Sequence, residues 1–97
     1  MEPIKRIVKM NFKPEMIAQF LVIFEESKDL IRSFEGCQHV ELLKQAGQAH
    51  IMCTLSIWDS EAHLEVYRKS ELFKTTWART KVLFQDKAEA WTLYKIA

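Results

Sequence analysis

Proline and glycine occupy only four positions in this 97-residue chain: Pro3, Pro14, Gly36 and Gly47. Average usage would place roughly twelve such residues in a chain of this length. Each marks a place where a regular element starts, stops or turns, so the chain between them must be regular structure with short connections. That spacing excludes a loop-rich or disordered chain. It also excludes phosphate cradles, because a P-loop or a dinucleotide fingerprint needs clustered glycines.

The patterns between these punctuation points alternate in type. Ile4 to Phe12 predicts a strand in which Ile4, Val8, Met10 and Phe12 share one face, with Arg6 interrupting it. Pro14 suits a first helical position, where its missing N–H costs nothing. A helix is predicted from Pro14 to Ser33, with Ile17, Phe20, Leu21, Phe24 and Ile31 as its apolar stripe. Gly36 follows at the stop position. Cys37 to Lys44 and Ala49 to Trp58 predict two strands of a hairpin. If Ala46-Gly47 makes the turn, Leu43 faces His50, Glu41 faces Met52 and His39 faces Thr54. That register leaves Val40 and Leu42 on the aliphatic face with Ile51, Cys53, Leu55 and Ile57. A bulge would move every residue beyond it to the opposite face.

Asp59-Ser60-Glu61 and Ser70-Glu71 both read as helix starts. They predict two helical stretches, broken near Lys69-Ser70 and ending near Phe84. Glu89 to Ile96 predicts a last strand. The order β-α-β-β-α-β is that of a ferredoxin-like α+β sandwich. Its four-stranded antiparallel sheet carries helices on one face, and the whole chain, residues 1–97, forms one domain. The other sheet face offers too many large apolar side chains for water, which predicts a homodimer through that face.

Charge and cysteine usage narrow the function. Fourteen basic and thirteen acidic residues leave a net charge of +1 with no block of one sign. Nucleic acid is not expected as a partner, since that footprint is basic and clustered. No run of eighteen apolar residues is present, so a membrane span is not expected. The first residues lack an apolar signal segment. The two cysteines, Cys37 and Cys53, fall on opposite sheet faces and form no disulfide framework. A cytoplasmic setting fits.

The residues themselves suggest a few chemical candidates. His39 and His50 could draw a proton from a phenolic substrate, or could be ordinary surface residues of the hairpin. His63 sits on a helix among glutamates and is expected to face solvent. A metal site from His39, Glu41 and His50 matches no recognised ligand spacing, so no metal is expected. Tyr67, Phe73 and Trp77 form an aromatic stripe at helical spacing, which serves a core or a pocket wall equally. Arg68 and Arg79 could hold an anionic group or make surface ion pairs.

Several motifs together resemble one family. These are Phe34-Glu35-Gly36-Cys37, then Ser56-Ile57-Trp58-Asp59-Ser60-Glu61, then Tyr67-Arg68-Lys69-Ser70-Glu71-Leu72-Phe73, and a last strand holding Trp91. From residue 4 to residue 96 the chain resembles an antibiotic biosynthesis monooxygenase (ABM) domain of the dimeric α/β barrel superfamily. The resemblance implies two chains packed sheet to sheet and a small pocket between helices and sheet in each. It implies a cofactor-independent monooxygenase that oxidises a small hydrophobic, aromatic or quinol-type substrate with O2. Thr54, Trp58, Tyr67, Phe73 and Trp77 would line that pocket, with His39 or His50 assisting deprotonation. A non-catalytic dimeric module that only binds a small molecule is the alternative. Thr54 motivates it, because it stands where the quinone-forming oxygenases of the family carry an asparagine. Haem binding is a third implication of the superfamily, but Ile7 and Trp77 stand where its haem-degrading branch carries asparagine and histidine.

Overall fold

The computed structural model describes residues 2–97. The chain runs β1 (Ile4–Asn11), a 3-10 turn (Pro14–Met16), α1 (Ile17–Arg32), β2 (Cys37–Lys44), β3 (Ile51–Trp58), α2 (Glu61–Arg68), α3 (Glu71–Lys81) and β4 (Glu89–Tyr94). The four strands form one antiparallel sheet in the order β2-β3-β1-β4. This is the α+β, ferredoxin-like sandwich, with the three helices on one side of the sheet.

Local chemistry explains the boundaries. Pro14 opens the turn that leads into α1. After α1, Gly36 adopts φ +87°, a left-handed conformation that a side chain resists. Ser60 caps α2 by accepting a hydrogen bond from the His63 N–H at 3.2 Å. Ser70 does two things at the break between α2 and α3. Its hydroxyl accepts from the Phe73 N–H at 3.1 Å and donates to the Tyr67 carbonyl at 2.6 Å. The end of one helix is thereby tied to the start of the next.

The central hairpin differs from the sequence expectation. Leu43 lies opposite Cys53 and His39 opposite Ile57, where the turn at Ala46-Gly47 predicts His50 and Thr54. The connection is longer than a two-residue turn, and His50 lies before β3 begins. The slip is three residues, and an odd slip exchanges the faces of one strand relative to the other. Val40 and Leu42 therefore share the helix-facing side with Met52, Thr54, Ser56 and Trp58. His39, Glu41 and Leu43 face outward with Ile51, Cys53, Leu55 and Ile57. A register irregularity between Cys37 and His39 lets buried Cys37 remain on the helix side. Cys37 and Cys53 are free thiols on opposite faces, as expected.

The core divides into two clusters between the sheet and the helices. One centres on Ile4, Ile31, Cys37, Trp58, Leu64 and Tyr67. The other centres on Met10, Phe12, Phe20, Ile23, Met52 and Leu83. The α1 stripe is rotated from expectation: Ile23 and Ser27 are buried, while Leu21 is exposed. Ser27 tolerates burial because its hydroxyl donates to the Ile23 carbonyl at 2.7 Å. His63 is also more enclosed than expected. Its ring packs against Gly36, and its Nδ1 lies 2.8 Å from the Ser60 hydroxyl.

Candidate functional site

Between the two core clusters lies a cavity of about 320 Å³, lined by members of both. That is the low end of the size range of small-molecule sites. Its floor is the helix-facing side of the sheet. Thr54, Val8 and Ala90 form one row across β3, β1 and β4, and Ser56, Arg6 and Thr92 form the next. All of these except Thr92 line the cavity. Its roof comes from all three helices: Phe20 and Phe24 of α1, Leu64 and Tyr67 of α2, and Phe73 and Trp77 of α3.

Burial grades the cavity from dry to wet. Trp58, Met10 and Phe20 are almost wholly enclosed, whereas Arg68 and Ala90 are exposed and mark where the space meets water. Trp58 anchors the dry end. Its indole N–H donates to the Ser56 hydroxyl at 2.9 Å, which satisfies a donor that has no access to solvent. Its ring stacks on Tyr67 with centroids 4.8 Å apart and an interplanar angle of 26°. The aromatic series continues from Tyr67 to Phe73, Trp77 and Phe84, with each neighbour 5.3 to 6.0 Å away. Ser70 sets this series by fixing the break between the helices that carry Tyr67 and Phe73.

The polar groups of the wall are largely spent on the protein itself. Thr80 donates to the Thr76 carbonyl at 2.8 Å, Ser27 donates to the Ile23 carbonyl, and Ser56 holds the indole. Burial pushes the Tyr67 phenol well above the ordinary tyrosine range, and neighbouring Cys37 adds to the shift. Tyr67 is therefore a neutral aromatic wall at physiological pH. Arg6 and Arg68 are the charged residues of the lining, and it contains no carboxylate or imidazole.

The residues singled out from sequence thus separate into two sets. Thr54, Trp58, Tyr67, Phe73 and Trp77 come together around one cavity. His39 and His50 do not line it. The odd slip turns His39 to the outer sheet face, where its Nε2 lies 3.6 Å from the Glu41 carboxylate. His50 remains in the turn ahead of β3. Arg79 pairs with Glu26 across α3 and α1 at 2.9 Å, whereas Arg68 reaches the cavity. Two important residues were not singled out as site candidates. Arg6 had a visible signal, since it interrupts an otherwise apolar strand face. Ser56 stands in the quoted Ser56-Ile57-Trp58 motif and shares a strand face with Trp58, but its role as the acceptor for the indole shows only in the structure. Among the described residues, no cluster of three metal-ligating side chains is present.

A family model for antibiotic biosynthesis monooxygenase matches residues 3–79. This chain belongs to the antibiotic biosynthesis monooxygenase family. Solved structures agree on the fold of the ABM domain. A conserved protein from Methanosarcina mazei Go1 superposes with a TM-score of 0.94 at 21% identity, over 99% of this chain and 95% of that one. A crystal structure named antibiotic biosynthesis monooxygenase gives 0.90 at 17% identity, over 97% and 99% of the two chains. A protein from Pseudomonas aeruginosa gives 0.87 at 20% identity, over 100% and 97%. No curated protein matches the sequence significantly. Among the described residues, no helix of this ABM domain is long and apolar enough to cross a membrane.

Proposed function

We propose that this ABM domain is a cofactor-independent monooxygenase that oxidises a small aromatic, quinol-type substrate with O2 and works as a homodimer. The observation that carries this reading is the cavity walled by Trp58, Tyr67, Phe73 and Trp77, in a chain whose family is named for monooxygenases. Such walls bind a flat ring by stacking and edge contacts. The aromatic and aliphatic roof shields the ring on the helix side, and the open end beside Arg68 and Ala90 admits water.

The reaction class balances without another reductant. A phenol with a free ring position plus O2 yields a quinone and one water. The substrate supplies four electrons; one oxygen atom enters the ring and the other leaves as water. The phenol must first lose its proton, because a phenolate gives up an electron more readily. No carboxylate or imidazole lines the cavity, so this proton passes to water rather than to His39 or His50. The protein's part is to hold the ring and shield it.

The test is oxygen uptake by the purified protein with 1-naphthol and simple phenols, with the product examined by mass spectrometry under labelled O2. One oxygen consumed per quinone formed, with one labelled atom in the product, is the expected result. Absence of uptake above buffer across the panel overturns it. One observation favours a second reading, a binding module without chemistry: Thr54 is the floor residue where the family's quinone-forming oxygenases carry an asparagine. Ligand binding without oxygen consumption is the result that reading expects.

A further inference from the structure

Arg6 occupies an unusual place for a guanidinium. It projects from the middle of β1 onto the helix-facing side of the sheet, between Ser56 on β3 and Thr92 on β4. It is half-buried, and among the described residues its one side-chain hydrogen bond goes from Nη1 to the neutral Thr92 hydroxyl, at 2.8 Å. An arginine carries five N–H donors, so most of its hydrogen-bonding capacity is unspent on protein side chains. No carboxylate among the described residues forms an ion pair with it. The nearby charges are Arg68, which repels it, and Glu65, which attracts it. Glu65 is itself held by Arg68 at 2.9 Å. Two cations, one of them paired with Glu65, thus share the lining of a cavity whose other residues are apolar, aromatic or hydroxyl-bearing. Burial and the Arg68 charge, in that order, push the Arg6 guanidinium below its ordinary range. An arriving anion would relieve that repulsion.

We propose that Arg6 and Arg68 form an anion subsite at the mouth of the cavity, and that the molecule taken up is an aromatic carboxylic acid. Its ring lies against Tyr67, Phe73 and Trp77, lining aromatics that keep accessible surface, and its carboxylate lies between the two guanidiniums. The planar fork of arginine matches a carboxylate in two parallel hydrogen bonds. The inference names the substrate class for the cavity proposed above and rests on that cavity being a ligand site.

Calorimetric titration at neutral pH compares 1-hydroxy-2-naphthoate with 1-naphthol, which shares the fused rings and phenol but lacks the carboxylate. The acid is expected to bind about tenfold tighter or more, as a charge-assisted pair does. Added salt should weaken the acid and leave the naphthol unchanged. Arg6→Gln and Arg68→Gln should each reduce acid affinity several-fold without moving naphthol affinity. Arg6→Lys, which keeps the charge but loses the fork, should fall between. Arg68 lies on an exposed helix end, so its variant carries the test if Arg6→Gln fails to fold. Equal affinity for acid and naphthol, or acid binding indifferent to Arg68→Gln and to salt, overturns the subsite. Tighter acid binding without oxygen consumption supports the subsite while removing the monooxygenase reading. Oxygen consumption with naphthol but no preference for the acid does the reverse.

Discussion

Replacing Ser56 with alanine tests how the cavity holds its indole. Ser56 is buried, and its hydroxyl receives the N–H of Trp58, a residue with no exposed surface. Alanine removes one oxygen atom and no carbon, so loss of apolar burial is negligible. What remains is the cost of leaving a buried donor without its partner, about 1–3 kcal/mol. For a domain of this size each kcal/mol moves the melting temperature by about 4–8 °C. Ser56→Ala should therefore melt roughly 5–20 °C below the parent. In urea the midpoint should fall by about 1 M with an unchanged slope. The cycle with Trp58→Phe isolates the bond, since phenylalanine has no N–H to leave unpaired. Adding Ser56→Ala to Trp58→Phe should cost about 1 kcal/mol less than adding it to the parent. A Ser56→Ala protein within about 0.5 kcal/mol of the parent, or a strictly additive cycle, refutes the account of Trp58 as a hydrogen-bonded anchor.

Three further outcomes follow from other parts of the molecule. Gly36 and Gly47 both have positive φ, but an added Cβ at Gly36 would run into the His63 ring, whereas Gly47 faces open space. Gly36→Ala should cost about 2–5 kcal/mol and Gly47→Ala about 1–2 kcal/mol in urea unfolding; equal costs would contradict the packing. Tyr67 holds its proton more tightly folded than unfolded, so its contribution is intact below pH ~10 and stability falls as pH rises past it, with a slope of up to about 1.4 kcal/mol per unit. Tyr94, bonded to Glu61, shifts the same way, so the readout is the difference between the parent and Tyr67→Phe, which should lose stability less steeply between pH ~9 and ~11; identical slopes would contradict the assignment. The bare sheet face carries Ile7, Leu55 and Ile57 with exposed Leu43, Trp91 and Leu93, and the proposed homodimer should sediment at about twice 11.5 kDa. Leu55→Asp should then sediment as one chain, and a parent already sedimenting as one chain at micromolar concentration rejects the dimer.

Much of this molecule is written locally. Alternation within β1 puts Ile4, Met10 and Phe12 on one face, and all three are buried there. Ser60 and Ser70 are legible as caps because a hydroxyl followed by an acidic first turn answers the free N–H groups of a helix start. Gly36 is legible as a stop because a left-handed residue is needed there. The aromatic residues at positions 58, 67, 73 and 77 could be named from their spacing and from the family resemblance. The imidazoles could not be placed, because their position depends on how two strands slide past each other.

The sequence by itself therefore determined the order of elements and the alternation within each strand, since these depend on neighbours a few residues apart; β3 begins two residues later, α3 ends three residues earlier and β4 two residues earlier than expected. Only the tertiary structure decided the three-residue register of the β2–β3 hairpin, which sends His39 outward and gathers Thr54, Ser56 and Trp58 beneath the helices. It alone brought Arg6 of β1 and Arg68 of α2 into the lining of one cavity. The physical reason is that a strand's own pattern says which residues share a face. It does not say which partner lies opposite, nor which face the helices will cover. Those choices are made by packing the whole sheet against three helices at once.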